Sequence, residues 1–194
     1  MNDLLEQTYW VFDLDGTLTV EMHDFDAFRA GAGIPNGAPI LEALDAMSGP
    51  EAAMLHLRLA EWERDVARQS LCQPGARELL EALRERDARL GILTRNLRSI
   101  AFETLDAIGL RDFFEDDEVL GRDEAPPKPD PGGVESLLRR WGAQPREAVM
   151  VGDYVFDLQA GRAAGATTIY IDPEGEFPHR DHADHCIRWL ADLL

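Results

Sequence analysis

Two aspartates stand two residues apart, directly after the first apolar run of the chain. Asp13 and Asp15 follow Tyr9–Phe12, and an extended backbone would direct both carboxylates to the same side. Carboxylates this close repel one another unless a cation or a shared proton relieves them. Gly16 permits a tight turn, and the Thr17 hydroxyl can bond backbone or phosphate. An Asp-x-Asp-Gly sequence is also common in ordinary turns, so the pair alone is a weak indication.

The chain contains one lysine, Lys128, which lies between Pro127 and Pro129. All other residues in the Lys+Arg total of 19 are arginine. A compact ammonium differs from a planar guanidinium in that it can place a point charge beside a phosphoryl group or a carboxylate. Chance is the competing explanation for a single lysine, and the remaining motifs decide between the two.

A hydroxyl follows another apolar run. Thr94 comes after Arg89–Leu93, where it could donate to a phosphate oxygen, helped by the backbone amides of Arg95 and Asn96. Taken singly, Thr94 would be a helix cap.

A second pair of carboxylates follows the apolar run 148–151. Gly152 and Asp153 end this run, and Asp157 comes four residues after Asp153. A helix would turn both carboxylates to one side, towards a shared ion or the next loop. A capped helix start is the simpler explanation for Asp157 in isolation.

The elements that position these residues alternate between strand and helix. This rhythm predicts an α/β fold with a Rossmann-like parallel sheet and helices on both faces. Ligands of such folds bind beyond the carboxyl ends of the strands, where the motifs above would meet. The predicted strands are 9–12, 89–93, 148–151, 167–171 and, more weakly, 118–120, with helices over 75–86, 98–108, 132–141 and 156–164 and a last strand and helix over 183–194.

The segment 21–73 interrupts this alternation and lacks a convincing strand. We expect it to be a small helical cap inserted after the first strand, with a core domain made of residues 1–20 and 74–194. Gly, Pro and Asn turns separate the predicted helices 23–32, 39–47 and 50–69. The last of these has a predicted apolar face of Met54, Leu55, Leu57, Leu59 and Trp62.

The overall charge excludes several partners. A formal net charge of −18 opposes sequence-independent binding to nucleic acid or to anionic membranes, whereas an acidic site could hold a divalent cation. No stretch approaches a membrane span, and the first residues do not form a signal peptide. The two cysteines, Cys72 and Cys186, lack metal-like spacing, and we expect a reduced, cytoplasmic protein.

Together these motifs resemble the haloacid dehalogenase superfamily of phosphohydrolases, in particular a subgroup similar to phosphoglycolate phosphatases with a small helical cap. Four motifs carry the resemblance in the family's order, which makes it highly specific. They are Val11–Leu18, Ile92–Thr94, Lys128–Pro131 and Val151–Asp157.

The resemblance implies a phosphatase that acts on a small phosphorylated metabolite. Asp13 would attack phosphorus and form an aspartyl-phosphate, while Asp15 would protonate the leaving alcohol and later activate water. Thr94, with Arg95, Asn96 and Thr17, would bind the phosphoryl group or substrate. Lys128 would neutralise charge between Asp13 and the phosphate.

The resemblance also implies Mg²⁺, which suits an all-oxygen site. Asp13, Asp153 and the backbone carbonyl of Asp15 would hold the ion. Asp157 would support the metal shell or Lys128, with Gly16 and Gly152 in supporting positions. An aspartate at position 15 favours phosphoryl transfer over dehalogenation, because a departing halide needs no proton donor.

Three alternatives stay open at this stage. A phosphosugar mutase is one, since His23 lies near the place of a mutase cap histidine, although the cap has no lysine and we expect His23 at the cap surface or hinge. The others are a non-catalytic binding or regulatory protein and a protein–protein interaction module. The substrate is undetermined, and the oligomeric state is a monomer or a homodimer.

Other polar side chains are weaker candidates. Arg29, His56 and Arg58 in the cap could contact the substrate's non-phosphate end, but a solvated helix face explains each of them better. His179, His182 and His185 could be imagined as a zinc site, and a polar loop is the better explanation.

Overall fold

Six parallel strands form the predicted sheet in a computed structural model that describes residues 4–194. The strand order is β3-β2-β1-β4-β5-β6, and every neighbouring pair is parallel. The α/β fold expected from the alternation of elements is therefore confirmed. The strands are β1 (Tyr9–Phe12), β2 (Arg89–Leu93), β3 (Val119–Leu120), β4 (Ala148–Gly152), β5 (Thr167–Ile171) and β6 (His185–Ile187).

The chain direction across the sheet reverses beside β1. It runs outward from β1 to β2 and β3, and then returns to place β4 on the other side of β1. Ligands of open parallel sheets bind at such a switch point, beyond the carboxyl ends of the strands. Asp13 follows β1 and donates its amide to Val151 O at 2.9 Å, while the amide of Thr94 donates to Leu120 O at 3.0 Å.

Two apolar clusters cover the two faces of the sheet because successive residues of a strand point to opposite sides. Four helices cover these faces: α4 (Ala76–Arg84), α5 (Arg98–Ala107), α6 (Gly132–Trp141) and α7 (Val155–Ala163). On β1, Trp10 and Phe12 belong to the cluster that packs under α4 and α5, whereas Val11 belongs to the cluster under α6 and α7. The side chains of Trp10, Val11 and Phe12 are fully buried.

Three helices between β1 and α4 form the predicted helical insertion: α1 (Phe25–Ala32), α2 (Ile40–Asp45) and α3 (Pro50–Ala67). They share an apolar cluster of their own, which includes Phe28, Leu44 and Leu59. The apolar face predicted for α3 is partly wrong: Leu55 and Leu59 are buried, but Met54 and Leu57 are 61% and 67% exposed. Only one stripe of this helix faces the cluster.

Several element ends differ from the prediction. α1 begins at Phe25, not at residue 23, because Asp24 caps it by accepting a hydrogen bond from Ala27 N. The predicted helix 188–194 is a single 3-10 turn over Leu190–Leu193. The Asp192 carboxylate accepts the amides of residues 188 and 189 and so ends the extended segment just before this turn.

The two chain segments that enter and leave the helical insertion pair with one another. Thr19 and Cys72 form an isolated antiparallel bridge, and Val20 N donates to Leu71 O at 2.9 Å.

Both cysteines, Cys72 and Cys186, are free. No helix within residues 4–194 is long and apolar enough to cross a membrane.

Candidate active site

Lys128 lies between two carboxylates at the carboxyl end of the sheet. Its side chain is only 2% exposed, and its ammonium bonds Asp13 Oδ1 and lies 2.6 Å from Asp157 Oδ1. Burial alone would lower the pKa of Lys128, but the charges of Asp13 and Asp157 outweigh it and raise the pKa above the ordinary lysine value. The structure thus brings Lys128 into contact with Asp13, two residues that the sequence analysis assigned to one site.

Asp15 is oriented by two side chains. Asn96 Nδ2 donates to Asp15 Oδ2 at 2.8 Å, and His23 Nδ1 lies 3.8 Å from Asp15 Oδ1. Burial raises the pKa of Asp15, and His23 opposes part of this shift. A carboxyl group with a raised pKa is better suited to donate a proton near neutral pH. The side-chain amide of Asn96 thus contacts Asp15, a contact that the sequence analysis did not predict, since it considered only the Asn96 backbone amide for phosphate binding.

Thr94 and Arg95 follow β2 and face the same cavity. Thr94 is buried, and its Oγ1 accepts the amide of Asn96 at 3.1 Å, which leaves its hydroxyl proton for another acceptor. Arg95 donates to the Lys128 carbonyl oxygen and, at 2.6 Å, to Glu42 Oε2 on α2. Its guanidinium also lies 5.1 Å from the centre of the Phe156 ring. Arg95 therefore joins the loop after β2 to the helical insertion.

Three carboxylates form a group that can hold a cation. Ligand oxygens of Asp13, Asp153 and Asp157 all lie within 4.8 Å of one another. Burial raises the pKa of Asp153 well above its ordinary value, and the Asp13 and Asp157 charges add to the shift. Burial also raises the pKa of Asp13, against the effect of Lys128. Such crowding is relieved when a cation binds, and the oxygen donors fit Mg²⁺.

The backbone around this group leaves room only for glycine. Gly16 has a φ of +80°, and a Cβ there would overlap the Asp153 carboxylate. At Gly152, a Cβ would overlap the side chain of Asp157. Thr17 Oγ1 lies 3.4 Å from Asp153 Oδ1, so its contact is with a carboxylate of this group, where the sequence suggested phosphate.

Asp157 has both carboxylate oxygens engaged by the protein. Oδ1 contacts Lys128, and Oδ2 accepts the amide of Tyr154 at 3.0 Å. This favours the support of Lys128 over metal ligation, which were the two roles the sequence left open for Asp157.

His23, which was expected at the cap surface or hinge, does not lie at the surface. Its side chain is 3% exposed, stacks on Phe25 and meets the edge of Trp62. Burial would lower the pKa of His23, but the hydrogen bond to Glu21 and the Asp15 charge raise it overall. The only indication of this burial in the sequence is the presence of Phe25 and Trp62, whose rings surround the His23 ring in the structure.

A cavity of about 520 Å³ lies between the sheet and the helical insertion. Asp13, Asp15, Thr94, Lys128 and Asp153 all line it, so the topology brings together the residues that the sequence predicted. Sequence reasoning missed other residues of the lining: Glu21, Phe25, Glu63, Tyr154 and Phe156.

The weaker candidates for substrate contact differ in whether they line this cavity. Arg29 lines the cavity. His56 instead lies 3.4 Å from Asp45, and Arg58 is exposed and donates to Gly31 O, so neither belongs to the lining. In the tail, His179 packs against the rings of Tyr154 and Tyr170.

Comparison with known proteins identifies the family that this arrangement belongs to. A family model described as haloacid dehalogenase-like hydrolase matches residues 51–165, more than half of the chain. The chain belongs to the haloacid dehalogenase-like hydrolase family. The resemblance carried by the four motifs is thereby confirmed.

Individual relatives of this haloacid dehalogenase-like hydrolase carry phosphatase names. A phosphoglycolate phosphatase of Rhodospirillum rubrum is 32% identical to this chain, and the matched region covers 82% of this chain and 77% of the relative. The pyrophosphatase PpaX of Halalkalibacterium halodurans is 28% identical over 95% of this chain and 94% of its own. A crystal structure of a hydrolase from Pseudomonas syringae superimposes with a TM-score of 0.77 at 24% identity, covering 96% of each chain, and shows the same fold.

Proposed function

We propose that this hydrolase is a Mg²⁺-dependent phosphatase that cleaves a small phosphate monoester through an aspartyl-phosphate. The contact of Lys128 with both Asp13 and Asp157 carries the proposal. A buried ammonium that touches one aspartate and is backed by a second is a charge placed for a phosphoryl group beside that aspartate. A protein that only bound a partner would not need such a buried charge.

Each step of the proposed reaction is assigned to a side chain by its position in the site. Asp13 attacks phosphorus, so that the bond to the leaving oxygen breaks as a bond to the Asp13 carboxylate forms. Asp15, oriented by Asn96, gives its proton to the leaving alkoxide. Asp15 then takes a proton from water, whose oxygen attacks phosphorus and releases Asp13 and phosphate. Thr94 can donate its hydroxyl to a phosphoryl oxygen throughout.

We propose that Asp13, Asp153 and the backbone carbonyl of Asp15 hold Mg²⁺. When bound, the ion would neutralise charge on the phosphoryl oxygens and relieve the crowded carboxylates. The protein's own contribution is positioning and preorganised charge, which dominate phosphoryl transfer.

We further propose that residues 21–73 act as a cap and residues 1–20 and 74–194 as the core. The separate apolar cluster of α1, α2 and α3 supports this division, as does the pairing of Thr19 with Cys72 where the two segments meet. A cap over the cavity would exclude water during the transfer. A phosphosugar mutase is less favoured, because residues 21–73 contain no lysine.

The proposal is tested by hydrolysis of an aryl phosphate with Mg²⁺ or with a chelator. Asp13→Asn should abolish turnover, while the matched change Asp65→Asn, at a 70% exposed side chain on α3, should leave it intact. Acid quenching of the wild type with radiolabelled substrate should trap a phosphorylated protein. If a panel of phosphate esters gives neither turnover nor label, the protein is a binding protein. Release of an isomerised sugar phosphate would indicate the mutase.

A further inference from the structure

The end of the cavity that would receive the leaving group contains more acidic than basic side chains. Glu21, Asp24, Asp26 and Glu63 line it in addition to the aspartates that follow the strands, whereas Arg29 and Arg95 are its only arginines among residues 4–194. A second anionic group on a substrate would therefore depend on these two guanidinium groups for its binding.

Both guanidinium groups are already neutralised by the protein. Arg29 donates to Asp26 Oδ1 at 2.7 Å and to the Ala38 carbonyl at 2.9 Å. Arg95 donates to Glu42 Oε2 at 2.6 Å and to the carbonyl oxygen of Lys128.

Two further acidic side chains of the cavity, Glu63 and Glu21, are paired with other cations. Glu63 pairs with Arg122, whose Nη1 lies 2.8 Å and 2.9 Å from its two oxygens. Glu21 pairs with His23 at 3.3 Å. Each of these cations is thus paired with a carboxylate, and Asp24, which caps α1, adds a further negative charge. An added carboxylate or phosphoryl group would be desolvated beside carboxylates.

The remaining wall of the cavity is apolar, and His23 lies beside it. Phe25, Leu41, Leu59 and Phe156 line it. His23 Nε2 is buried and, among the described residues, has no hydrogen-bond partner. A buried polar atom of this kind is costly unless a ligand or water satisfies it. A hydroxyl of a bound molecule would do so, because a hydroxyl group can both donate and accept a hydrogen bond.

We propose that the leaving group of the substrate is an uncharged or cationic alcohol, with an apolar or ring portion and a hydrogen-bonding group, and carries no second anion. This inference rests on the proposed phosphatase function and names the substrate class of the same site. It sets the chain apart from enzymes whose leaving group carries a carboxylate or is itself a phosphate, since specificity also arises from groups that repel the wrong ligand.

Three matched esters test the charge preference. Phosphoglycolate, 2-hydroxyethyl phosphate and phosphoethanolamine have two-carbon leaving groups that end in a carboxylate, a hydroxyl and an ammonium. We expect kcat/KM for the hydroxyl and ammonium esters to exceed that for phosphoglycolate by about tenfold or more, as expected for a charge mismatch in a partly desolvated site. Competitive inhibition of aryl phosphate hydrolysis gives the same ranking for esters that turn over slowly. Values for phosphoglycolate equal to or above those for 2-hydroxyethyl phosphate would overturn the inference.

A variant tests the role of the neutralised arginine. Glu42→Gln removes the carboxylate from Arg95, and we expect kcat/KM for phosphoglycolate to rise about fivefold or more relative to 2-hydroxyethyl phosphate. Asp45→Asn, also on α2 but 71% exposed and beside His56, should leave the ratio unchanged. An unchanged ratio in Glu42→Gln would contradict the inference.

The two proposals fail in different ways. An enzyme that hydrolyses the aryl phosphate but prefers phosphoglycolate refutes the leaving-group inference alone. If the protein neither hydrolyses aryl phosphate nor forms a phosphoaspartate, the phosphatase proposal fails and the leaving-group inference falls with it.

Discussion

Asp157 Oδ1 lies 2.6 Å from Lys128 Nζ, and Asp157 Oδ2 accepts a hydrogen bond from the backbone amide of Tyr154. Asp157 therefore positions Lys128 against Asp13. We predict that Asp157→Asn lowers kcat by about tenfold to a hundredfold, because the ammonium loses half of its buried charge compensation. Steady-state kinetics over a Mg²⁺ series measures this effect. A shift of the Mg²⁺ requirement as large as that of Asp153→Asn would instead make Asp157 a metal ligand.

Mg²⁺ should bind more tightly as pH rises. Burial raises the pKa of Asp13 and Asp153 above the ordinary aspartate value of 3.8, so the metal-free protein retains protons that a cation must displace. For the same reason, the metal-free protein should become less stable as pH rises from 3.8 through these raised values. We expect the rise in melting temperature caused by Mg²⁺ to grow between acidic and neutral pH. Asp153→Asn should remove most of this rise, and a rise that is independent of pH would contradict the explanation.

Gly16→Ala should damage the site directly. The added Cβ would overlap the Asp153 carboxylate, and the φ of +80° is unfavourable for alanine. We expect a stability loss of about 1–3 kcal/mol from backbone strain and a larger relative loss of activity. Denaturant unfolding and aryl phosphate kinetics measure the two effects. Gly49→Ala is the control, because Gly49 has a similar φ of +86°, has nothing within 4 Å of its Cβ and does not line the cavity. Full activity in Gly16→Ala would show that the turn can relax.

Glu63 should make stability depend on pH in an unusual direction. Burial raises its pKa from 4.5 to about 7 even though Arg122 opposes the shift. A raised carboxyl pKa means that the folded state binds the proton more tightly than the unfolded state. The stability contribution of Glu63 is therefore fully present below pH 4.5 and is lost as pH rises to about 7.

Comparison with Glu63→Gln isolates this contribution. The free energy of unfolding of the wild type relative to the variant should fall by roughly 3 kcal/mol at most across that pH range. Denaturant titrations at several pH values provide the measurement. A difference that instead increases with pH would mean that Arg122 dominates and that the carboxylate is ionised throughout.

Much of the core could be predicted because the motifs at Asp13, Thr94 and Asp153 each follow an apolar run. Strands that are buried on both faces appear as short apolar runs such as Tyr9–Phe12, and parallel pairing brings their carboxyl ends to one edge. Asp13, Thr94 and Asp153 consequently converge although they are far apart in the chain. The sequence also predicted a tight turn at Gly16, and the structure gives this residue a φ of +80°.

The region above the site could not be predicted in the same way. Local spacing gave α3 an apolar face that included Met54 and Leu57, but only tertiary packing decides which stripe of a helix is buried. The pairing of Arg122 with Glu63 spans 59 residues, and nothing in either local sequence indicates it. The burial of His23 could not be predicted, because its aromatic neighbour Trp62 lies far along the chain.

The burial of the chain's one lysine provides a chemical label for the site. Amine-reactive reagents should modify Lys128 only when the protein unfolds or the cavity opens, because its side chain is 2% exposed. No other ε-amine exists in the sequence to contribute background. The stoichiometry of labelling, read by mass spectrometry after digestion, would thus count open molecules directly. It would also report occupancy by any ligand, including one that is never turned over.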